Sequence, residues 1–138
     1  MARILSIDFG EKRTGIAVSD PLQLIANGLT TVATPDLEKF IADYLSHEEV
    51  ERFVVGFPKT LRNEPALVTT KIVPFVERLQ RKYPQISVEL VDERFTSKIA
   101  FRAMIDGGLT KKERRNKALI DQVSATIILE EYLEHKRQ

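Results

Sequence analysis

The architecture follows from one N-terminal segment, RILSIDFGEKRTGIAVS, which occupies residues 3–19. Residues 3–9 alternate well enough for a β-strand, residues 10–13 are typical of a turn, and residues 14–19 read as a second strand antiparallel to the first. A third strand is expected over residues 29–33. The chain therefore opens with an antiparallel meander.

The rest of the chain alternates helices with short strands. Apolar residues at helical spacing predict helices over residues 37–45, 65–83, 96–106 and 117–134. Pro74 is expected to kink or split the second of these. Short apolar strands are expected at 53–56 and 86–91. Because strands separated by helices require parallel crossovers, we expect a single α/β domain over residues 1–138. Its sheet is mixed and five-stranded, three antiparallel strands then two parallel, with helices on both faces.

Composition excludes several classes of protein. Of 138 residues, 43% are hydrophobic and 30% are charged, as in ordinary globular proteins. The absence of cysteine removes disulfide frameworks, thiol catalysis and the usual structural zinc sites. His47 and His135 read as surface residues, and no motif supports a hydrolase built on them. No apolar run approaches the ~20 residues of a membrane span, so no membrane partner and a cytoplasmic location are expected.

Positive charge is concentrated in one segment. Residues 94–117 carry a net charge of +6, against +1 for the whole chain. A basic segment on a neutral protein suits local binding of a polyanion such as nucleic acid, although a solvated helix face with a charged loop gives the same pattern. The candidate phosphate-binding residues of this basic strip are Arg94, Lys98, Arg102, Lys111, Lys112, Arg114, Arg115 and Lys117, joined by Lys12 and Arg13 at the hairpin tip.

Carboxylates follow the strands expected at the centre of the sheet. Asp8 lies near the end of the first strand, and Asp92 and Glu93 close the fifth. Asp121 lies within about 60° of the apolar face of the last helix, so we expect it to point into the protein. A carboxylate in that position needs a neutralising partner. Lys117, one turn earlier, is the simplest ion-pair candidate.

Converging carboxylates repel one another, and a divalent cation relieves that repulsion. Ligands that offer only oxygen suit Mg²⁺ or Mn²⁺. Two such ions about 3.5–4 Å apart can activate water and hold the leaving oxygen in phosphodiester hydrolysis. The pattern thus indicates metal-assisted phosphoryl transfer, while the alternative is that these acids are helix caps and turn formers.

Four motifs together resemble the YqgF family, also called RuvX. They are IDFGEKRTGIAVSD at residues 7–20, VVGFP at 54–58, DERFTS at 92–97 and KALIDQVSA at 117–125. This family belongs to the RNase H-like superfamily and is related to the RuvC Holliday-junction resolvases. It is generally described as a nuclease that processes the 5′ end of the 16S ribosomal RNA precursor.

The resemblance implies an RNase H-like fold and nominates Asp8, Glu93 and Asp121 as metal-binding catalytic acids, with Asp92 as the alternative to Glu93. Two departures from the family pattern concern neighbouring segments. The loop at residues 59–65 lacks the usual glycine, and a Ser-Ala pair at 124–125 replaces Ala-Ala.

The expected function is a Mg²⁺- or Mn²⁺-dependent endonuclease acting on structured RNA, most simply ribosomal RNA precursor. One alternative is a resolvase of branched DNA, which would need a stable dimer because a four-way junction requires two symmetric active sites. Another is a non-catalytic RNA-binding or ribosome-assembly module. A monomer or weak homodimer is expected. An actin-type ATPase would need two domains, and the chain has room for one.

Overall fold

The computed structural model describes residues 2–57, 71–92 and 117–137. The strands in this part of the chain are β1 (Arg3–Asp8), β2 (Arg13–Ser19), β3 (Ala26–Ala33), β4 (Val50–Phe57) and β5 (Ser87–Asp92). The α-helices in it are α1 (Leu37–Leu45), α2 (Val73–Lys82) and α3 (Lys117–Arg137), with a 3-10 turn at Thr34–Asp36 before α1. The predicted helix at 96–106 and the start of the one at 65–83 lie outside the described residues.

The strands form one five-stranded sheet in the order β3-β2-β1-β4-β5. β1 pairs with β2 and β2 with β3 in antiparallel fashion, whereas β1 with β4 and β4 with β5 are parallel. The predicted mixed sheet is therefore confirmed. β3 begins at Ala26, three residues earlier than expected. It is an edge strand with largely exposed side chains, so its first half lacks the alternation that marks a half-buried strand.

The two faces of the sheet carry two separate cores. On one face α1 and α2 cover a cluster that includes Leu5 and Ile7. On the other face α3 packs on Ile4. Alternate residues of a strand point to opposite sides, so Ser6 and Asp8 share the side of Ile4. We call this side the α3 face, and it is the one that carries the candidate site.

Pro74 lies in the first turn of α2, which begins at Val73. Residues 71 and 72, immediately before α2, have π-helical hydrogen bonding, so the helix expected over residues 65–83 changes its type just before Pro74, while residues 65–70 lie outside the described residues. A proline is tolerated in the first turn because the N–H that it lacks has no partner within the helix there. The buried side chains of α2 follow it, at Phe75, Val76 and Leu79.

In the part of the chain that the structure describes, no helix has both the length and the apolar character required to cross a membrane.

Candidate active site

Asp8 ends β1 and sits between two glycines. It pairs with Gly15 of β2 and with Gly56 of β4. Directly paired residues face the same side of a sheet, so the positions on either side of Asp8 carry no side chain. Asp8 itself is half-buried. Its carboxylate is therefore the one side chain that these three central strands present in this row on the α3 face.

The position of helix α3 on the sheet is set by two hydroxyl side chains and one glycine. The buried Ser6 hydroxyl donates a 2.9 Å hydrogen bond to the carbonyl oxygen of Ala125. The Thr31 hydroxyl donates to the carbonyl oxygen of Ala118, which lies at the N-terminal end of α3. Between these two contacts the helix backbone lies against Gly15: a Cβ on that residue would lie 1.9 Å from the carbonyl oxygen of Asp121.

These contacts bring Asp8 and Asp121 to the same corner of the sheet. Asp8 follows Ser6 by two strand residues, about 6.7 Å. Asp121 precedes Ala125 by four helix residues, about 6 Å. The backbone of Asp121 lies on Gly15, the cross-strand partner of Asp8. Together with the Ser6–Ala125 hydrogen bond, this contact shows that α3 runs antiparallel to β1, so the two steps lead in the same direction.

Arg13 is the third charged residue at this corner. It begins β2, two positions before Gly15, and therefore shares the α3 face. Its Nε donates to Oδ2 of Asp121 at 2.9 Å. The Arg13 side chain is 40% exposed and that of Asp121 is 23% exposed. The sequence offered Lys117 as the partner of Asp121, but the side chain of Lys117 lies outside the described residues and the partner that the structure reveals is Arg13.

The other predicted site residues divide into two groups. Lys12 is exposed at the tip of the β1–β2 hairpin, next to Arg13. Lys117 begins α3. The remaining ones fall outside the described residues: Glu93, Arg94, Lys98, Arg102, Lys111, Lys112, Arg114 and Arg115. Within residues 2–57, 71–92 and 117–137, no group of three or more His, Cys, Asp or Glu side chains is close enough to hold a metal ion.

Sequence reasoning missed the residues that fix α3 on the sheet. Ser6 and Gly15 were assigned only to strands, and the contact between Arg13 and Asp121 joins residues 108 positions apart. Strand alternation did contain part of the signal, because it assigns Arg13, Gly15 and Ala17 to one face of β2. Two small residues in succession on that face indicate that a backbone approaches there.

A second polar cluster holds the far end of α3. The Tyr132 hydroxyl donates to Glu89 of β5 at 2.8 Å, and Arg52 of β4 donates to the same hydroxyl. Burial raises the pKa of Tyr132 above its usual value of 10.0. The hydrogen bond to Tyr132 raises the pKa of Arg52. This cluster and the hydroxyl contacts of Ser6 and Thr31 together attach both halves of the helix to the sheet.

Replacing Ser6 by alanine tests the contact that sets the position of α3. Ser6→Ala is expected to lower the free energy of unfolding by about 1 kcal/mol, because it removes a buried hydrogen bond. Urea unfolding measures this change. Ser87→Ala, at an exposed serine on β5, is the matched control and should stay within about 0.5 kcal/mol of the wild type. Equal losses in the two variants would contradict the role given to Ser6.

Comparison with known proteins gives consistent matches over nearly the whole chain. Residues 2–135 match the RuvX family, which is described as a Holliday junction resolvase. The "Putative pre-16S rRNA nuclease" of Phocaeicola vulgatus is 59% identical over 137 residues, 99% of each chain. The relative of the same name in Bacteroides thetaiotaomicron is 58% identical, again over 99% of each chain.

A solved structure resembles the fold of this chain. It is the RuvC of T. thermophilus in complex with a Holliday junction substrate, with a TM-score of 0.61 and 19% sequence identity. The match covers 99% of this chain and 96% of the RuvC chain. At this level of identity the likeness shows the fold alone, and it confirms the predicted RNase H-like architecture.

Proposed function

Because the chain belongs to the RuvX family, we propose that it is a nuclease that hydrolyses phosphodiester bonds in structured RNA with the help of a divalent cation. Its proposed substrate is the 16S ribosomal RNA precursor, which agrees with the names of its curated relatives, and the 5′ end is the proposed position of cleavage. The observation that carries the proposal is that the backbone of Asp121 lies against Gly15, the strand partner of Asp8, on the α3 face.

The donor set at this corner fits Mg²⁺ or Mn²⁺. Asp8 and Asp121 offer carboxylate oxygens, the ligands that hard divalent cations prefer. Gly15 and Gly56, which pair with Asp8 in the sheet, add no side chain of their own to its row. Such cations, when bound, activate a water molecule and stabilise the leaving oxygen of a phosphodiester. In this proposal Asp8 and Asp121 hold the cation and are the catalytic acids.

Glu93 is proposed as the third metal-binding acid, in preference to Asp92. Val91 packs with the cluster on the α3 face and pairs with Gly56, in the row of Asp8. Alternate strand residues share a face, so a residue two positions after Val91 is a better candidate than its neighbour. In the ladder Asp92 pairs with Phe57, one position beyond that row. This register supports Glu93.

The basic residues are proposed to bind the phosphates of the RNA. Lys12 and Arg13 adjoin the acidic corner, and among the proposed phosphate-binding residues they are the two whose side chains the structure describes. The basic strip would extend this surface, through Arg94, Lys98, Arg102, Lys111, Lys112, Arg114, Arg115 and Lys117. Binding through these residues should weaken steeply as salt rises, because each neutralised phosphate releases counterions.

A second candidate function is the resolution of branched DNA. The description of the matching family as a Holliday junction resolvase favours it. It uses the same acids on a different substrate, and it requires two active sites related by a two-fold axis. A chain that remains monomeric at the concentrations of the assay would argue against it.

One assay separates these functions from a module that only binds RNA. The wild-type protein is incubated with an RNA that spans the leader and the mature 5′ end of 16S rRNA, and separately with a four-way DNA junction. We expect cleavage of the RNA with Mg²⁺ or Mn²⁺, loss of cleavage with EDTA, and its return when the cation is restored. Cleavage of the junction alone would support the resolvase, and binding without cleavage under all conditions would support the module.

A further inference from the structure

The ion pair between Arg13 and Asp121 places a positive charge beside a proposed metal ligand. Arg13 Nε and Asp121 Oδ2 are 2.9 Å apart, and the Asp121 side chain is partly buried. A partly buried carboxylate is costly unless a cation or hydrogen-bond donors compensate it. Arg13 provides both, and it reaches Asp121 across the gap between β2 and α3.

We propose that Arg13 is a displaceable counter-ion: it holds the Asp121 carboxylate until a divalent cation takes that carboxylate, and it then binds a phosphate of the nucleic acid. The inference rests on the proposed function and adds a regulatory role for one residue. In this role Arg13 couples binding of the cation to binding of the substrate, because the side chain that neutralises Asp121 also binds a phosphate of the nucleic acid.

Electrostatics makes the two partners of Asp121 compete. A guanidinium bonded to Oδ2 lies within a few ångströms of any cation on the same carboxylate, and like charges at about 4–6 Å disfavour each other. Arg13 therefore lowers the affinity of the site for the cation. By linkage, the bound cation weakens the contact between Arg13 and Asp121 to the same extent.

The structure allows the Arg13 side chain to move while its backbone stays in place. The backbone belongs to the sheet, where Arg13 pairs with Ala33. The side chain is 40% exposed, so it can leave Asp121 for the solvent side without disturbing a packed core. Arginine forms paired hydrogen bonds with phosphate oxygens in the way that it does with carboxylates, so a phosphate is a chemically equivalent second partner.

Arg78 and Glu38 supply a matched comparison. This pair has an N–O distance of 3.1 Å and side chains that are 45% and 41% exposed. It joins α2 to α1, on the face of the sheet opposite to the acids. A change at this pair therefore reports the general effect of losing a surface ion pair, without an effect on the proposed site.

Two measurements on the full chain test the proposal. In ¹H–¹⁵N spectra of arginine Nε groups, addition of Mg²⁺ should increase the solvent exchange of the Arg13 Nε–H and leave that of Arg78 unchanged. In Mn²⁺ titrations followed by electron paramagnetic resonance of the free ion, Arg13→Gln should bind Mn²⁺ about 2- to 5-fold more tightly than the wild type. Arg78→Gln should bind it as the wild type does.

The outcomes separate this inference from the function on which it rests. Unchanged or weaker Mn²⁺ binding by Arg13→Gln, with an unaltered Arg13 Nε–H in Mg²⁺, would overturn the counter-ion role while the nuclease proposal stands. Asp121→Asn reports on that proposal, because it should lose most of the Mn²⁺ affinity. A wild-type protein that binds neither ion would remove the metal-dependent function and the role of Arg13 together.

Discussion

Asp8→Asn is expected to slow phosphodiester cleavage about 10³-fold while fold and RNA affinity are retained. Asparagine has the shape of aspartate but lacks its charge, so the packing beside Gly15 and Gly56 is kept while the main attraction for a divalent cation is lost. A bound cation contributes several kcal/mol to a phosphoryl-transfer transition state. A loss of about 4 kcal/mol corresponds to about 10³-fold in rate.

Single-turnover cleavage of the precursor RNA measures this effect, and fluorescence anisotropy in EDTA measures the affinity for the same RNA. Asp43→Asn is the matched control, because Asp43 is an exposed aspartate on α1, on the face of the sheet away from the acids. The control should cleave at the wild-type rate. An Asp8→Asn protein that is equally fast would refute the assignment of Asp8 as a catalytic acid.

Gly15→Ala is expected to lower the free energy of unfolding by about 3 kcal/mol and to abolish the geometry of the site. A Cβ at position 15 would lie 1.9 Å from the carbonyl oxygen of Asp121 and 2.9 Å from the backbone nitrogen of Gln122. Overpacking usually costs about 1–3 kcal/mol, and the upper end applies here because helix backbone cannot rotate away as a side chain can. Asp121 would move with the helix, so cleavage should fall as well.

Gly28→Ala provides the matched comparison on the neighbouring strand. Its Cβ would approach the side-chain nitrogen and Cγ of Gln122 at 2.7 and 3.0 Å and the hydroxyl of Thr126 at 3.0 Å. All three atoms belong to side chains, which can change rotamer, so we expect a loss of about 1 kcal/mol. Chemical denaturation measures the free energy of unfolding of the two variants. Equal losses of stability would contradict the claim that Gly15 is required for the close contact with the backbone of α3.

Local sequence pattern predicted most of the sheet, because strand alternation and turn residues act over short distances. The antiparallel meander of β1, β2 and β3 and the two parallel strands that follow it were predicted in this way, whereas the order of the strands within the sheet was not. It failed at the start of β3, whose exposed side chains remove the alternation, and at the start of β4, which begins at Val50 and not at residue 53. Both errors concern boundaries, which tertiary contacts decide.

The candidate site was predictable only as a set of residue types. The helical angle of Asp121 relative to the apolar face was available from the sequence, and the resemblance supplied its role. The pairing of Asp121 with Arg13 could not be predicted from the sequence, because it depends on where α3 crosses β2. Local spacing along the helix favours Lys117 as the partner instead. Contacts between distant elements are set by three-dimensional packing, and a single sequence carries no direct record of it.

The hydrogen bond between Ser6 and Ala125 has a consequence for how relatives of this chain can vary in length. Asp8 and Asp121 meet because one residue separates Ser6 from Asp8 and three separate Asp121 from Ala125. One inserted residue in the helical interval would rotate Asp121 by about 100° around the axis of α3. Evolution can therefore lengthen or shorten the connecting loops, whereas these two intervals must be inherited without insertions or deletions.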